Sequence, residues 1–246
     1  MAKRRVVITG LGTVNPMAQN VPDFWSGLLA GQSGIAPITL FDASDFTSRI
    51  GGEVKNWDAP PADMVDPRES KRMDRYAQFA MMSGIEAVRD SGIDFEKEDR
   101  SRCGVLVGSG IGGLLTLEHQ HERLMAKGPG KISPFTVPRL MINAAGGHLA
   151  IFYSLKGPNF AIVTACASAS HSIGEAVRTI QRGDADVMIT GGTEAALTKI
   201  GLASFCALKG LSTRNDDPEH ASRPWDEDRD GFLLAEGAGC LVIETY

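Results

Sequence analysis

Thr164-Ala165-Cys166-Ala167-Ser168-Ala169 sets a cysteine among residues small enough to admit a substrate, where an apolar stretch from Asn159 to Thr164 gives way to helical periodicity. The spacing predicts a strand over 159–164 and a helix over about 167–181, so Cys166 stands at a helix start. Free N–H groups and the positive end of a helix dipole favour thiolate over thiol, and the same N–H groups hold an oxyanion. Cys166 is therefore the best nucleophile candidate among Cys103, Cys166, Cys206 and Cys240. Cys103 and Cys240 fall in or at the start of apolar strands, and Cys206 lies between Phe205 and Ala207 in a short apolar helix, the surroundings of inert core thiols. On position alone the other reading of Cys166, a compact buried residue at a tight junction, stays open. No base is visible. His171 is five residues on, turned about 140° around a helix from Cys166, and reads better as a cap or core histidine.

Three other patterns suggest chemistry and then lack a part. Val6-Val7-Ile8-Thr9-Gly10-Leu11-Gly12 looks like the opening of a dinucleotide-binding unit, but Asn15 stands where the third glycine belongs. Gly108-Ser109-Gly110-Ile111-Gly112-Gly113 follows a strand, yet the acidic ribose ligand expected ~20 residues later is replaced by Lys127-Gly128-Pro129-Gly130. Both read more simply as tight turns that need glycine for positive φ. Asp226-Glu227-Asp228-Arg229-Asp230-Gly231 opens like a calcium loop, but Gly237 occupies the bidentate position, Glu236 comes one place early and Pro224 precedes the loop. A charged surface turn is the expectation. His119 and His121 are two apart and face different ways on a helix. Neither a cofactor nor a metal is expected.

The elements that must position Cys166 follow from composition and period. The chain has 246 residues, 43% of them hydrophobic, and a net charge of −5. A chain of this size buries roughly 70–75% of its unfolded surface and needs no disulfide or metal to build a core. The four dispersed cysteines, without a CxxC pair, suit a reducing compartment. No apolar run approaches the ~18 residues of a membrane span, and the start, Met-Ala-Lys-Arg-Arg before Val6, is too short for a secretory leader; the expectation is a cytoplasmic protein. An acidic balance argues against nucleic-acid binding. Short β-branched runs alternate with helical segments, which predicts an α/β fold. Strands are expected at Val6 to Ile8, Gly104 to Val107, Val187 to Thr190 and Cys240 to Ile243. Helices are expected at Val21 to Leu29, Arg72 to Asp90, Leu114 to Ala126, Arg139 to Tyr153 and Ile200 to Leu208. Residues 32–70, with Pro37, Pro60, Pro61 and Pro67, read as an irregular cap, and Leu211 to Asp230 as a polar loop.

Thr164 to Ala169, preceded by Gly157-Pro158-Asn159, resembles the nucleophile segment of the β-ketoacyl-acyl carrier protein synthases, the condensing enzymes of fatty acid synthesis, and is most similar to the synthase II type. Further matches run in the family's order: Val6 to Gly12, Arg72-Met73-Asp74-Arg75, Gly108 to Gly113 and Lys131-Ile132-Ser133-Pro134-Phe135. They continue with Gly183-Asp184-Ala185-Asp186, Leu211-Ser212-Thr213-Arg214-Asn215 and Arg223-Pro224-Trp225-Asp226 through Asp230-Gly231-Phe232.

This resemblance implies a thiolase-like α-β-α-β-α layered fold of two similar halves, with residues 1–246 forming mainly the N-terminal domain. It implies that Cys166 takes an acyl chain from a carrier-protein thioester, its own N–H donating to the oxyanion. Decarboxylation of a malonyl thioester then gives the carbanion that attacks the acyl-enzyme. Ile111 would touch the acyl chain, with Phe205 nearby. Arg68, Lys71, Arg72, Lys131 and Lys209 would form a positive patch for the acidic acyl carrier protein; for each, a solvated surface charge is the alternative. Homodimerisation is implied, with the strand at Asn159 to Thr164 pairing across the twofold. Relatives often carry paired aromatics where this chain has Phe135-Thr136, which bears on acyl length and dimer packing. The family's two catalytic histidines, its lysine and a second oxyanion N–H belong to the C-terminal half. The expectation is thus an N-terminal part that alone does not decarboxylate malonyl thioesters. A purely binding or structural piece and a coenzyme A-dependent thiolase relative are the other readings.

Overall fold

The computed structural model describes residues 4–246; Met1 to Lys3, within the start where no secretory leader is read, lie outside the described residues. In chain order the elements are β1 (Val6–Val14), α1 (Val21–Leu29), the short strands β2 (Ala36–Pro37) and β3 (Ile50–Gly51), α2 (Pro67–Ser70), α3 (Arg75–Ser91), β4 (Cys103–Gly108) and α4 (Leu114–Lys127). They continue with α5 (Thr136–Leu140), α6 (Ala144–Phe152), β5 (Asn159–Phe160), α7 (Ser168–Arg182), β6 (Val187–Glu194), α8 (Lys199–Ala207) and β7 (Gly237–Thr245). Among the described residues, no helix is long and apolar enough to cross a membrane.

One sheet of five strands, in the order β1-β7-β6-β4-β5, organises the molecule. β4 runs parallel to β5 and β6, while β7 is antiparallel to β6 and β1. Alternation along the strands sends side chains to two cores. Val105, Val107, Val187 and Ile189 pack with Tyr76, Phe79, Ala80 and Leu149 of α3 and α6. Leu106, Met188 and Ile243 pack with Ala176 and Ile180 of α7. The result is a helix, sheet, helix sandwich. A third cluster joins Ile38 and Ala43 of the 32–70 segment to Leu197, Leu202, Leu211 and Leu234, so that mostly irregular segment covers a small core of its own.

Helix α3 starts where Asp74 accepts the Tyr76 N–H and stops at Gly92, whose φ of +69° is the left-handed conformation glycine adopts freely. The sequence pattern starts it at Arg72, but Arg72 N–H and Met73 N–H bond back to Glu69 and Ser70, closing the turn of α2 instead. The other Asp74 oxygen accepts from the N–H and hydroxyl of Thr116, tying this cap to α4.

Four sequence expectations are corrected. β1 does not stop at a glycine turn; it continues through Thr9-Gly10-Leu11-Gly12 to Val14, paired with β7. The glycines serve close approach: a Cβ on Gly10 would lie 2.0 Å from the Ala87 carbonyl oxygen, and one on Gly12 1.9 Å from that of Ser83. The helix expected over Arg139 to Tyr153 is two helices, broken around Met141 to Asn143, where the buried Tyr76 hydroxyl donates to the Met141 carbonyl. The strand expected over Asn159 to Thr164 is only Asn159–Phe160, an edge strand with Phe160 and Val163 exposed. β6 extends past Thr190 to Glu194 because Gly191 and Gly192 fit where β7 and α7 come close: a Cβ on Gly191 would meet the Gly239 oxygen at 2.0 Å, and one on Gly192 the Ala169 Cβ at 2.5 Å.

Two acids of the calcium-like pattern, Glu236 and Asp230, are engaged within the protein. Glu236 is buried and accepts from Arg75 Nε at 2.8 Å, Arg75 Nη2 at 2.6 Å and Val54 N–H at 2.9 Å. Asp230 pairs with Arg223 at 3.2 Å. At the far end of the sheet, Asp186 bonds both Arg102 and Arg4, which joins the start of β1 to β4 and β6.

Gly12→Ala forces a methyl into the α3 backbone and is expected to cost about 3 kcal/mol or more in urea denaturation. Gly130→Ala, with nothing within 4 Å of the added carbon, should stay within about 0.5 kcal/mol of the parent. The Arg102 and Arg4 guanidinium groups hold the Asp186 carboxyl well below the usual carboxylate range. A depressed carboxyl stabilises the fold above its unfolded value, near ~3.9, and that increment is lost as pH falls. Asp186→Asn should therefore lower Tm at neutral pH and leave a progressively smaller deficit as the pH is brought below about 4.

Candidate active site

The site forms at the carboxyl ends of the parallel strands β4 and β6, where α/β sheets commonly bind ligands. β4 delivers the turn Gly108 to Gly113, β6 delivers Glu194, and the turn before α7 delivers Cys166.

Cys166 sits two residues ahead of the first residue of α7 and is exposed. The expected direct passage from strand to helix is replaced by a tight turn in which Ala165 has φ +51°, a left-handed conformation that costs a non-glycine residue roughly 1–2 kcal/mol. Ser168 holds it there: its buried hydroxyl accepts the Thr164 N–H at 2.9 Å and donates to the Ala165 carbonyl at 2.7 Å. His171 Nδ1 lies 2.8 Å from Thr164 Oγ1, so this exposed histidine braces the turn from outside.

A cavity of about 660 Å³ opens beside the sulfur, lined by Cys166, Ala165, Ala169, Gly110, Ile111, Glu194, Phe205, Phe232 and Leu234 among others. Cys166, Ile111 and Phe205, singled out on sequence grounds, are thus brought together. Phe205 packs edge to face on Phe232, ring centres 5.7 Å apart. Ile111 also lines a second hollow of about 570 Å³ with Leu140, Ile142, Phe160 and Val163. No histidine lines the Cys166 cavity among the described residues.

Glu194 also lines the cavity, a placement the sequence pattern does not reveal. Its carboxylate accepts from Gly110 N–H at 2.7 Å, Ile111 N–H at 3.2 Å and Ser109 Oγ at 3.1 Å. Burial pushes this carboxyl up against the opposing pull of those hydrogen bonds. The donors a phosphate would use in this glycine-rich turn are therefore occupied by the protein's own carboxylate. Within the turn, the positive-φ expectation holds at Gly112, with φ +74°. Ser168 is likewise a residue that sequence reasoning missed; a hydroxyl two places after the cysteine was its only signal.

The basic residues Arg68, Lys71, Arg72, Lys131 and Lys209 are all exposed. Arg72 pairs with Glu69 at 2.7 Å and its guanidinium lies 5.3 Å from the Phe135 ring, which links the α2–α3 junction to the stretch following Lys131. Lys209 stands just past α8, in a left-handed conformation with φ +54°.

Chemically, the arrangement offers an accessible thiol at a helix start, facing an apolar cavity, which suits acceptance of an acyl group. Comparison with known proteins agrees with this geometry. The family described as Beta-ketoacyl synthase, N-terminal domain, matches residues 3–246. The chain is 52% identical over 244 residues to the 3-oxoacyl-[acyl-carrier-protein] synthase 2 of Coxiella burnetii, covering 99% of this chain and 58% of that protein. It is 49% identical to the protein of the same name from Vibrio cholerae, covering 100% of this chain and 59% of that protein. The chain thus spans well under two thirds of the length of the curated relatives it matches. Among solved structures, a type II PKS acyl-carrier protein in complex with its ketosynthase gives a TM-score of 0.87 at 30% identity, covering all of this chain (100%) and 59% of the matched one. A β-ketoacyl synthase from Burkholderia phymatum gives a TM-score of 0.87 at 30% identity, covering 100% and 60%.

The four thiols should separate by reactivity. Burial pushes those of Cys103 and Cys240 up to about 11, and Cys206 is half-buried. Limited iodoacetamide treatment of the native protein, read by peptide mass mapping, is expected to label Cys166 first, with Cys103 and Cys240 at least about a hundredfold slower. Labelling of either buried thiol ahead of Cys166 would contradict the geometry.

Proposed function

The chain belongs to the β-ketoacyl synthase family, and on that premise we propose that it carries the acyl-accepting part of a 3-oxoacyl-acyl carrier protein synthase. The observation that carries this reading is the exposed Cys166 sulfur on its left-handed turn, in one cavity with Ile111 and Phe205.

In the proposed reaction the Cys166 thiolate attacks the thioester carbonyl of an acylated carrier protein. The oxyanion is held at the Cys166 N–H, beside the start of α7. A carbon–sulfur bond forms to Cys166 as the one to the carrier breaks, and the carrier thiol leaves with the proton Cys166 gave up. The acyl chain extends along the apolar wall of Ile111, Phe205 and Phe232. In the elongation step a malonyl thioester loses carbon dioxide, and its carbanion forms the new carbon–carbon bond as the Cys166–acyl bond breaks. The histidines and lysine that assist this step in the family are not assigned to any residue of the 246, because none of the five histidines lines the cavity.

The acyl donor is proposed to be an acidic carrier protein meeting Arg68, Lys71, Arg72, Lys131 and Lys209, since a local positive patch steers an acidic partner despite the net charge of −5. The solved ketosynthase with its acyl-carrier protein supports this by analogy. A homodimer is proposed through the open edge of β5, where Ile151, Phe152, Phe160 and Val163 present apolar surface. A reducing, cytoplasmic setting keeps Cys166 available as a thiol.

Incubation with an acylated carrier protein, followed by peptide mass mapping, should place the acyl mass on Cys166, and Cys166→Ser should abolish fast thioester formation. The double variant Lys71→Glu/Arg72→Glu should slow transfer from the carrier about tenfold and leave transfer from a small coenzyme A thioester nearly unchanged. Acylation of another cysteine would overturn the assignment; equal slowing of both donors would overturn the docking surface.

A further inference from the structure

We propose that Glu194 is a positioning residue for acyl-chain length: its carboxylate pins the Gly110-Ile111 backbone and thereby fixes the Ile111 side chain where the Cys166 cavity meets the second hollow. The inference rests on the reading of Cys166 as the residue that carries the chain. A carboxylate accepting two backbone N–H groups and a hydroxyl is a stronger tether than neutral acceptors provide. Here the donors are Gly110 at 2.7 Å, Ile111 at 3.2 Å and Ser109 at 3.1 Å. Ser109 Oγ in turn accepts the Gly112 N–H at 3.0 Å, so one carboxylate organises the whole turn. The tether is anchored on a sheet strand: β6 is paired with β4 as far as Gly192 and with β7 through Glu194 itself, opposite Gly237. Space at the contact is tight: a Cβ on Gly110 would lie 2.8 Å from Glu194 Oε2 and 3.7 Å from Ala165 Cα. The carboxylate, the glycine turn and the turn bearing Cys166 therefore form one stack. Ile111 is a wall of both the cavity of about 660 Å³ and the hollow of about 570 Å³. Holding its backbone limits how far a chain bound at Cys166 passes from the first space into the second.

The test uses the thiol directly. Second-order rates of Cys166 labelling by N-dodecyl iodoacetamide and N-methyl iodoacetamide are measured by mass spectrometry on the full chain, and their ratio is taken. Glu194→Ala is expected to raise the dodecyl-to-methyl ratio about tenfold, and Glu194→Gln, which retains one acceptor oxygen, by about threefold. Ser109→Ala, which keeps the carboxylate but cuts the link to Gly112, gives an intermediate rise and serves if the Glu194 variants do not fold. A ratio lowered, or within twofold of the parent, in variants that retain cooperative unfolding overturns the proposal. Because alkyl iodoacetamides label the thiol whether or not a carrier thioester reacts, this result is independent of the transfer assay. Failed transfer alongside a raised ratio counts against the synthase reading and for the Glu194 tether.

Discussion

The site depends on one strained turn. Ala165 occupies a left-handed conformation that its side chain disfavours, and the Ser168 hydroxyl, bonded to the backbone on either side of that residue, keeps it there. Without the turn, the chain leaving β5 would enter α7 along a smoother path, and Cys166 would have no reason to project into the cavity. Strain of this kind persists only where surrounding structure over-determines it. The surroundings here are the buried Ser168 on one side and the Thr164–His171 contact on the other.

The rest of the fold makes that turn rigid and gives it neighbours. β6 runs two residues past the point where β4 ends, Gly108 lying opposite Gly192, so Glu194 at its tip meets the glycine turn that leaves β4, beside the turn bearing the nucleophile. Close packing of backbones makes this possible: Gly10 and Gly12 admit α3 against β1, and Gly108 and Gly192 admit α7 against the sheet. The buried Arg75–Glu236 pair fastens the start of α3 to the segment entering β7. Removing one partner of such a pair leaves an uncompensated charge, which makes it a firm constraint on geometry.

Elements with a clear period were legible in the sequence. α1 falls on its expected residues, and α3 is displaced by three residues at its start because two adjacent turns compete there. The α/β character was legible too, and the placement of Cys166, Ile111 and Phe205 around one cavity was legible through resemblance. What escaped was set by tertiary contact. Glycines in β1 looked like a turn because sequence does not reveal that a helix passes within van der Waals range of them. The expected strand from Val187 stopped at Thr190, short of Gly191 to Glu194, because the pairing of those residues with β7 is long-range. Residues 161–164 looked like a strand because they are largely apolar, yet among the described residues no strand pairs with them past Phe160; Thr164 makes only an isolated bridge to Cys166. Glu194 and Ser168 carry no periodic signature; their roles exist only once strands and turns from distant parts of the sequence converge.

The most direct test is a crystal structure of the chain alkylated at Cys166 with an N-dodecyl iodoacetamide. The account predicts Ala165 with φ near +50°, both Ser168 hydrogen bonds intact, and the alkyl chain running into the cavity past Ile111 and Phe205. Ala165 in an ordinary helical or extended conformation, with the alkyl chain lying in solvent, would contradict it.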